Sequence, residues 1–222
     1  MSTPIESLLS GTKGGLLWFD DKYTHKVEFT ESGIYTNTTD KVQTVVIGIC
    51  GGGAGSGTAQ PYTGGGGGSA MTYHKITLQP NETVVVTIGA GGLIGNDGGD
   101  SSFGTYVTAK GGKTPVGSAY EIGVGENGGT NGTAQAGSSN NPLPLTVSKV
   151  IDGVIVTKNI LPHATRYSSN DGFGGCGGGY DYEGRGGGTD NAPTGYGAGA
   201  CSSASPIGDG TDGICVLWYN GE

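Results

Sequence analysis

Glycine is what most narrows the folds open to this chain. The 222 residues include 49 glycines, roughly three times the ~7% share of an ordinary domain. They come in runs, and the runs begin where short apolar stretches stop. Thr44-Val45-Val46-Ile47-Gly48-Ile49-Cys50 reads as the strongest strand and passes directly into Gly51-Gly52-Gly53-Ala54-Gly55. Thr83-Val84-Val85-Val86-Thr87-Ile88 passes into Gly89-Ala90-Gly91-Gly92, and residues 102–109, read as one strand, end in Gly111-Gly112.

A glycine run has two physical readings. One is a flexible tether, which normally mixes Gly with Ser, Lys and Glu. The other is the extended helix with three residues per turn and ~3.1 Å rise, whose N–H and C=O groups point outward and bond to neighbouring chains. That second form packs only where no Cβ holds the backbones apart. Runs bracketed by strands and edged by aromatics favour the ordered reading, and the lack of a strict Gly-X-Y period excludes collagen.

The rest of the chain reads as short strands and turns. Lys26-Val27-Glu28-Phe29-Thr30 alternates, Glu31-Ser32-Gly33 turns, and Ile34-Tyr35-Thr36 resumes. Residues 75–78 and 83–88 are expected to form a hairpin around Gln79-Pro80-Asn81-Glu82, and 145–150 with 154–157 a second one turning at Asp152-Gly153. Gly213-Ile214-Cys215-Val216-Leu217-Trp218-Tyr219 is the last strand, with Trp18 and Trp218 assigned to the core. Only Thr3-Pro4-Ile5-Glu6 predicts a helix, a capping box with proline at the first helical position, stopped by Gly11. Its Ile5, Leu8 and Leu9 face is expected to dock on the protein or a partner, because so short a helix is unstable alone. The expectation is an all-β protein: a β-sandwich-like scaffold with a bundle of polyglycine II helices. Residues 1–25 form an attachment segment, and 26–222 a glycine-rich domain with an insertion at 113–170.

The net charge of -8, from 11 basic and 19 acidic residues, argues against a nucleic-acid partner, which needs clustered Lys and Arg. No apolar stretch is long enough for a membrane span. Met1 leads into polar sequence without a signal-peptide pattern, so synthesis in a cytoplasm is expected. Cys50, Cys176, Cys201 and Cys215 lack CxxC spacing and read as packed free thiols, with one or two disulfides as the alternative.

The order of these elements resembles a known family. The carriers are the Gly-x-Tyr strand at Gly33, the run from Val45 to Gly55, the stretch Val86-Thr87-Ile88-Gly89-Ala90-Gly91-Gly92, then Gly98-Gly99-Asp100-Ser101-Ser102-Phe103-Gly104. Late triple glycines follow, and Gly210-Thr211-Asp212-Gly213-Ile214-Cys215-Val216 closes the pattern. Together they resemble the glycine-rich domain of bacteriophage tail-fibre and tail-tip proteins, over about residues 26–112 and 171–219. The pattern is also similar to the glycine-rich region of anaplastic lymphoma kinase-type receptors, which the missing signal peptide and disulfide framework disfavour. The phage resemblance implies a polyglycine II bundle on a β-scaffold, and in the T-even-type adhesins loops between the polyglycine helices form the host-binding tip. Residues 113–170 and 1–25 depart from the pattern.

No enzyme chemistry is assembled. Gly123-x-Gly125-x-x-Gly128 and Gly172-x-Gly174-x-x-Gly177 match a dinucleotide fingerprint by letter, but no amphipathic helix follows either. His25, His74 and His163 stand apart, so no metal or other cofactor is expected. The acidic stretches Asn96-Asp97-Gly98-Gly99-Asp100 and Asp209-Gly210-Thr211-Asp212-Gly213 are explained by turn formation more cheaply than by calcium. Asn37, Asn81 and Asn131 sit in glycosylation sequons.

A binding surface favours rigid amphipathic side chains, and the chain has 11 Tyr against 4 Phe. Tyr62, Tyr120, Tyr167, Tyr180, Tyr182 and Tyr196 are the candidate receptor-binding residues, and those at 180–183 and 196 interrupt otherwise uniform glycine runs. The expected function is a non-catalytic virion adhesin of the tail fibre or tail tip, its partner a host cell-surface protein or glycan. Residues up to Asp21 would attach it to other virion proteins, and a homotrimer fits a fibre component. The alternatives are a purely structural virion part (connector, collar or head decoration) and, less in keeping with the irregular insertions, an ice binder.

Overall fold

The computed structural model describes residues 23–58, 65–116, 123–127, 132, 192–200 and 208–220, together with the backbone of 145–151 and 154–160. Among them there are ten strands and no helix. The predicted N-terminal helix and Trp18 lie outside the described residues.

Eight strands form two four-stranded antiparallel sheets. The first has the order β1 (His25–Phe29), β10 (Ile214–Tyr219), β3 (Gln43–Cys50), β4 (Thr72–Leu78). The second runs β2 (Gly33–Thr36), β5 (Thr83–Thr87), β6 (Ser101–Phe103), β7 (Val107–Ala109). Alternation in the sequence sets which side chains turn inward. Val45, Ile47, Ile49 and Leu217 from the first sheet meet Tyr35, Val84, Val86 and Phe103 from the second in one buried cluster. Full burial of side chains this size contributes about 1.5–3 kcal/mol each, so this shared core is what joins the sheets. Tyr35 donates its hydroxyl to Gln43 Oε1 at 2.7 Å, and burial pushes its phenol up to about 12, helped by neighbouring Tyr219.

Part of the outer face of the first sheet is buried as well. Val46, Cys50, Ile214, Val216 and Trp218 form a second cluster with Tyr23 and Met71. Gly48 interrupts its strand for a steric reason. A Cβ there would sit 2.9 Å from atoms of Met71, Tyr73 and Trp218, so the gap accommodates the Trp218 ring, as a core role for that residue requires. Cys50 and Cys215 are buried free thiols belonging to the outer and inner clusters respectively. Cys176 and Cys201 lie outside the described residues.

Two expectations are corrected. The hairpin expected across 79–82 is absent: β4 pairs with β3, whereas β5 pairs with β2 and β6. The connection instead carries the chain from one sheet to the other, because Leu78 and Val84 both bury into the shared core. Asn81 turns it at a φ of 60°, and the fully buried Asn37 pins it. Asn37 Nδ2 donates to the carbonyls of Lys41 and Gln79, each at 2.9 Å, and its N–H donates to Glu82 O. The single strand expected over 102–109 is a tight hairpin. Gly104, at a φ of 52°, takes the left-handed position of its turn, which costs a residue with a Cβ and not glycine. The later hairpin, β8 (Leu145–Ile151) with β9 (Val154–Ile160), is present in the expected place.

Candidate functional site

The glycine runs continue from one end of the sandwich. β3, β5 and β7 exit there into 51–57, 89–92 and 110–113, while 65–70, 96–100 and 208–213 enter there into β4, β6 and β10. At the joint, two buried serines repeat one device. Ser69 Oγ accepts from Gly51 N–H and Ser101 Oγ from Gly89 N–H, both at 2.9 Å.

The backbone bonds place 51–57 at the centre. Gly52, Gly53 and Ala54 donate in turn to Gly99, Thr211 and Gly67; the same three residues accept from Gly112, Gly92 and Ala200. Three successive residues therefore address six separate segments. Those six also bond to one another around the ring. Gly66 donates to Ala200, Thr211 to Ala198, Gly210 to Gly92, Gly99 to Ala90, Gly98 to Gly112, and Gly67 to Lys113. Two neighbours are met again three residues on: Gly52 and Gly55 donate to Gly99 and Asn96, and Gly53 and Ser56 accept from Gly92 and Gly95. From Gly52 to Gly55 every backbone N–H and C=O thus has a partner, as burial demands.

Close approach explains the composition. A Cβ on Gly53 would stand 2.0 Å from Ala198 O, on Gly55 2.0 Å from Leu93 O, and on Gly111 2.0 Å from Gly98 O. No side chain fits there. Residues 123–127 extend the array outside the ring: Gly123 and Glu126 donate to Gly65 and Gly68. This stretch lies within residues 113–170, and a Cβ on the fingerprint glycine Gly123 would stand 2.2 Å from Lys113 O.

On the rim, carboxylates replace missing neighbours. Asp97 and Asp100 accept from the N–H groups of Thr114 and Gly111, and Asp209 and Asp212 from those of Ile94 and Gly91. Both pairs are spaced by three, as are the amides they cap. Lys110 and Lys113 pair with Asp100 and Asp97 at 2.6 and 3.1 Å. Burial alone would raise the Asp100 carboxyl, but the hydrogen bonds from Lys110 and Gly111 and the two lysine charges hold it below its ordinary value. These acidic stretches were expected as turns; their capping role explains the three-residue spacing.

At the far end from the sandwich, one connection between segments is described. The 93–95 turn is closed by Asn96 N–H to Leu93 O and by Gly95 at a φ of 77°. Residues 59–64, 117–122 and 201–207 join further segments whose flanks, Thr58 and Gly65, Val116 and Gly123, Ala200 and Gly208, lie toward that end. Leu93 and Val116 are exposed there, at 62% and 76%. They break otherwise glycine-rich segments without belonging to a strand, a signal readable in the sequence and missed.

Of the candidate tyrosines, Tyr196 alone is described. It is half-buried at the sandwich end of the bundle and packs against the outer cluster of the first sheet, which holds Met71 and Trp218. Tyr62 and Tyr120 belong by sequence to the 59–64 and 117–122 connections; they and Tyr167, Tyr180 and Tyr182 lie outside the described residues. Among the described residues no group of His, Cys, Asp and Glu could hold a metal ion. No protein-family model and no curated protein matches the chain.

Proposed function

We propose that this chain is a phage tail-fibre or tail-tip protein that binds a host cell-surface receptor through loops displayed on a glycine-rich scaffold. The observation that carries the reading is that the 93–95 turn and the flanks Thr58, Gly65, Val116, Gly123, Ala200 and Gly208 lie toward one end of a laterally bonded bundle, opposite the sandwich. In this reading the seven segments are polyglycine II helices, supported by the three-residue recurrence of their partners and by side chains being excluded between them. A scaffold held by backbone groups orders its loops in advance, which lowers the entropy lost on binding. The exposed Leu93, Ile94 and Val116 supply apolar contact at that end, and Tyr62 and Tyr120 belong by sequence to the 59–64 and 117–122 connections. Residues up to Asp21 attach the protein to the virion.

The test is binding of labelled protein to intact bacteria across a strain panel that includes a host shown to be susceptible. Saturable binding to that host is expected, and a folded variant carrying Leu93→Asp, Ile94→Asp and Val116→Asp should lose it. Absence of binding to the susceptible host, or undiminished binding by the variant, overturns the reading.

A further inference from the structure

The β8–β9 hairpin is a sheet of two strands, and among the described residues no further strand pairs with either. Such a ribbon is marginal by itself. β8 lies beside β4 of the sandwich, which leaves β9 (Val154–Ile160) as an open edge seven residues long. Other edges are blunted. β2 and β7 are four and three residues long, and β1 carries the Lys26–Glu28 ion pair; short strands and charges both discourage an added strand. β9 has neither proline nor a bulge, and its residues pair with those of β8 one to one.

Register tells which backbone groups of β9 are open. Residues 152–153 alone connect the two strands, so the flanking pair Ile151–Val154 exchanges both N–H···O bonds, and the pattern alternates from there. Val154, Val156, Lys158 and Ile160 therefore turn their N–H and C=O groups to β8. Ile155, Thr157 and Asn159 turn theirs outward.

We infer that this edge pairs with the β9 edge of a second copy, antiparallel about a two-fold axis at Thr157, so that two hairpins make one four-stranded sheet. What selects a second copy is that β9 complements itself in this register. The axis sets Thr157 opposite Thr157 and Ile155 opposite Asn159. Each residue with outward groups thus meets another, and every open N–H finds a C=O. Cross-strand chemistry agrees, because threonine pairs well with threonine and like charges must not be opposed. Here Lys158 falls opposite Val156, and Val154 opposite Ile160. The hairpin's faces match as well. The face that holds Leu145, Val147 and Ile151 also holds Val154, Val156 and Ile160, and the axis continues it from one copy into the other. Main-chain hydrogen bonds along one edge supply the affinity, as when a peptide extends a sheet, so the dimer is weak and concentration-dependent. This inference is independent of the proposed host-binding role.

The test is sedimentation velocity of the full chain up to about 0.5 mM, which reaches affinities in the high micromolar range, for the wild type, Thr157→Pro and Ser148→Pro. Proline removes one N–H, and at an outward position it spares the bonds within the hairpin. Ser148 is the cross-strand partner of Thr157, so its outward N–H lies on the opposite edge. Hydrogen exchange at Ile155, Thr157 and Asn159 of the wild type is followed over the same concentrations, and circular dichroism confirms that each variant is folded. The expected result is a reversible wild-type dimer whose formation slows exchange at those three amides. Association should be at least tenfold weaker for Thr157→Pro and unchanged for Ser148→Pro. A wild type that stays monomeric throughout, a trimer, or a dimer in which those amides exchange freely overturns the inference. So does association that Thr157→Pro leaves intact, or that both variants weaken alike.

Discussion

Replacing Gly53 with alanine separates the tether and lattice readings of the glycine runs by the sign of its effect. In a flexible run, Gly→Ala narrows the unfolded ensemble and stabilises by about 0.4–1 kcal/mol. In the bundle, the new methyl would stand 2.0 Å from Ala198 O and 2.2 Å from its carbonyl carbon, so one of the two segments must move by more than an ångström. Neither has slack. Gly53 N–H donates to Thr211 O at 2.8 Å and Gly53 O accepts from Gly92 N–H at 2.8 Å, and Thr211 in turn donates to Ala198 O.

Overpacking costs about 1–3 kcal/mol, and stretching two buried backbone hydrogen bonds adds about 1–3 kcal/mol for each group left unpaired. Gly53→Ala should therefore destabilise by about 3–5 kcal/mol, near the upper end for single substitutions. At this chain length that corresponds to a melting temperature lower by roughly 6–20 °C. Urea unfolding followed by circular dichroism measures the difference, with unchanged slope confirming that the comparison is valid. The reverse change at the next residue, Ala54→Gly, removes a buried methyl that already fits and should cost only about 1 kcal/mol. A Gly53→Ala variant as stable as the wild type, or more so, would refute the lattice.

Further outcomes follow from the same geometry. The Ser56 hydroxyl is buried without a hydrogen-bond partner, so Ser56→Ala should be neutral or stabilising by up to about 1 kcal/mol, read in the same urea titration. Asp212→Ala uncaps Gly91 N–H and should cost about 1 kcal/mol, as loss of a helix N-cap does, seen as faster hydrogen exchange at Gly91. Asp100 has a folded pKa below its ordinary value; its contribution is complete above the usual carboxylate range and lost as the pH falls through it. Asp100→Asn should accordingly flatten part of the acid limb of the stability profile, and an identical limb in the variant would contradict the cap. Burial pushes the Cys50 thiol up to about 12, against an ordinary value near 9, and raises the Cys215 thiol as well. Neither should react with a thiol reagent until the protein unfolds, and stability should fall as the pH rises above about 9.

The strands were legible because their signal is local. Alternation across 26–36 and the apolar run at 44–50 need only neighbouring residues to be read, and β1, β2 and β3 fall there within a residue or so. What local pattern could not say was which sheet each strand joins. An apolar run such as that at 83–88 looks the same whether the turn before it folds back or crosses over. Here the crossover follows from Leu78 and Val84 sharing one core and is pinned by Asn37, more than forty residues away in sequence from Gln79 and Glu82, which it binds. In the same way, Gly104 reads as one more strand glycine until its positive φ shows a turn. The Asp97/Asp100 and Asp209/Asp212 spacing was visible, but its meaning depends on a neighbouring segment having amides at the same three-residue interval.

These constraints sort the glycine-rich part of the chain into two kinds of position. Where a Cβ would meet a carbonyl at about 2 Å, as at Gly52, Gly53, Gly55, Gly67, Gly89 and Gly111, the residue is dictated by the neighbouring backbone. At Leu93, Ile94 and Val116 the side chains reach solvent and touch none of the lateral bonds. Because the bundle is held by main-chain groups, changing a far-end side chain alters what the surface presents while leaving the scaffold's bonds in place. That separation is what a display function requires: one part of the chain that cannot vary, carrying another that can. A tether would separate the two differently, since neither its glycines nor its neighbours would be held. The cost of a single methyl at Gly53 therefore tests the rigid scaffold on which the proposed display depends.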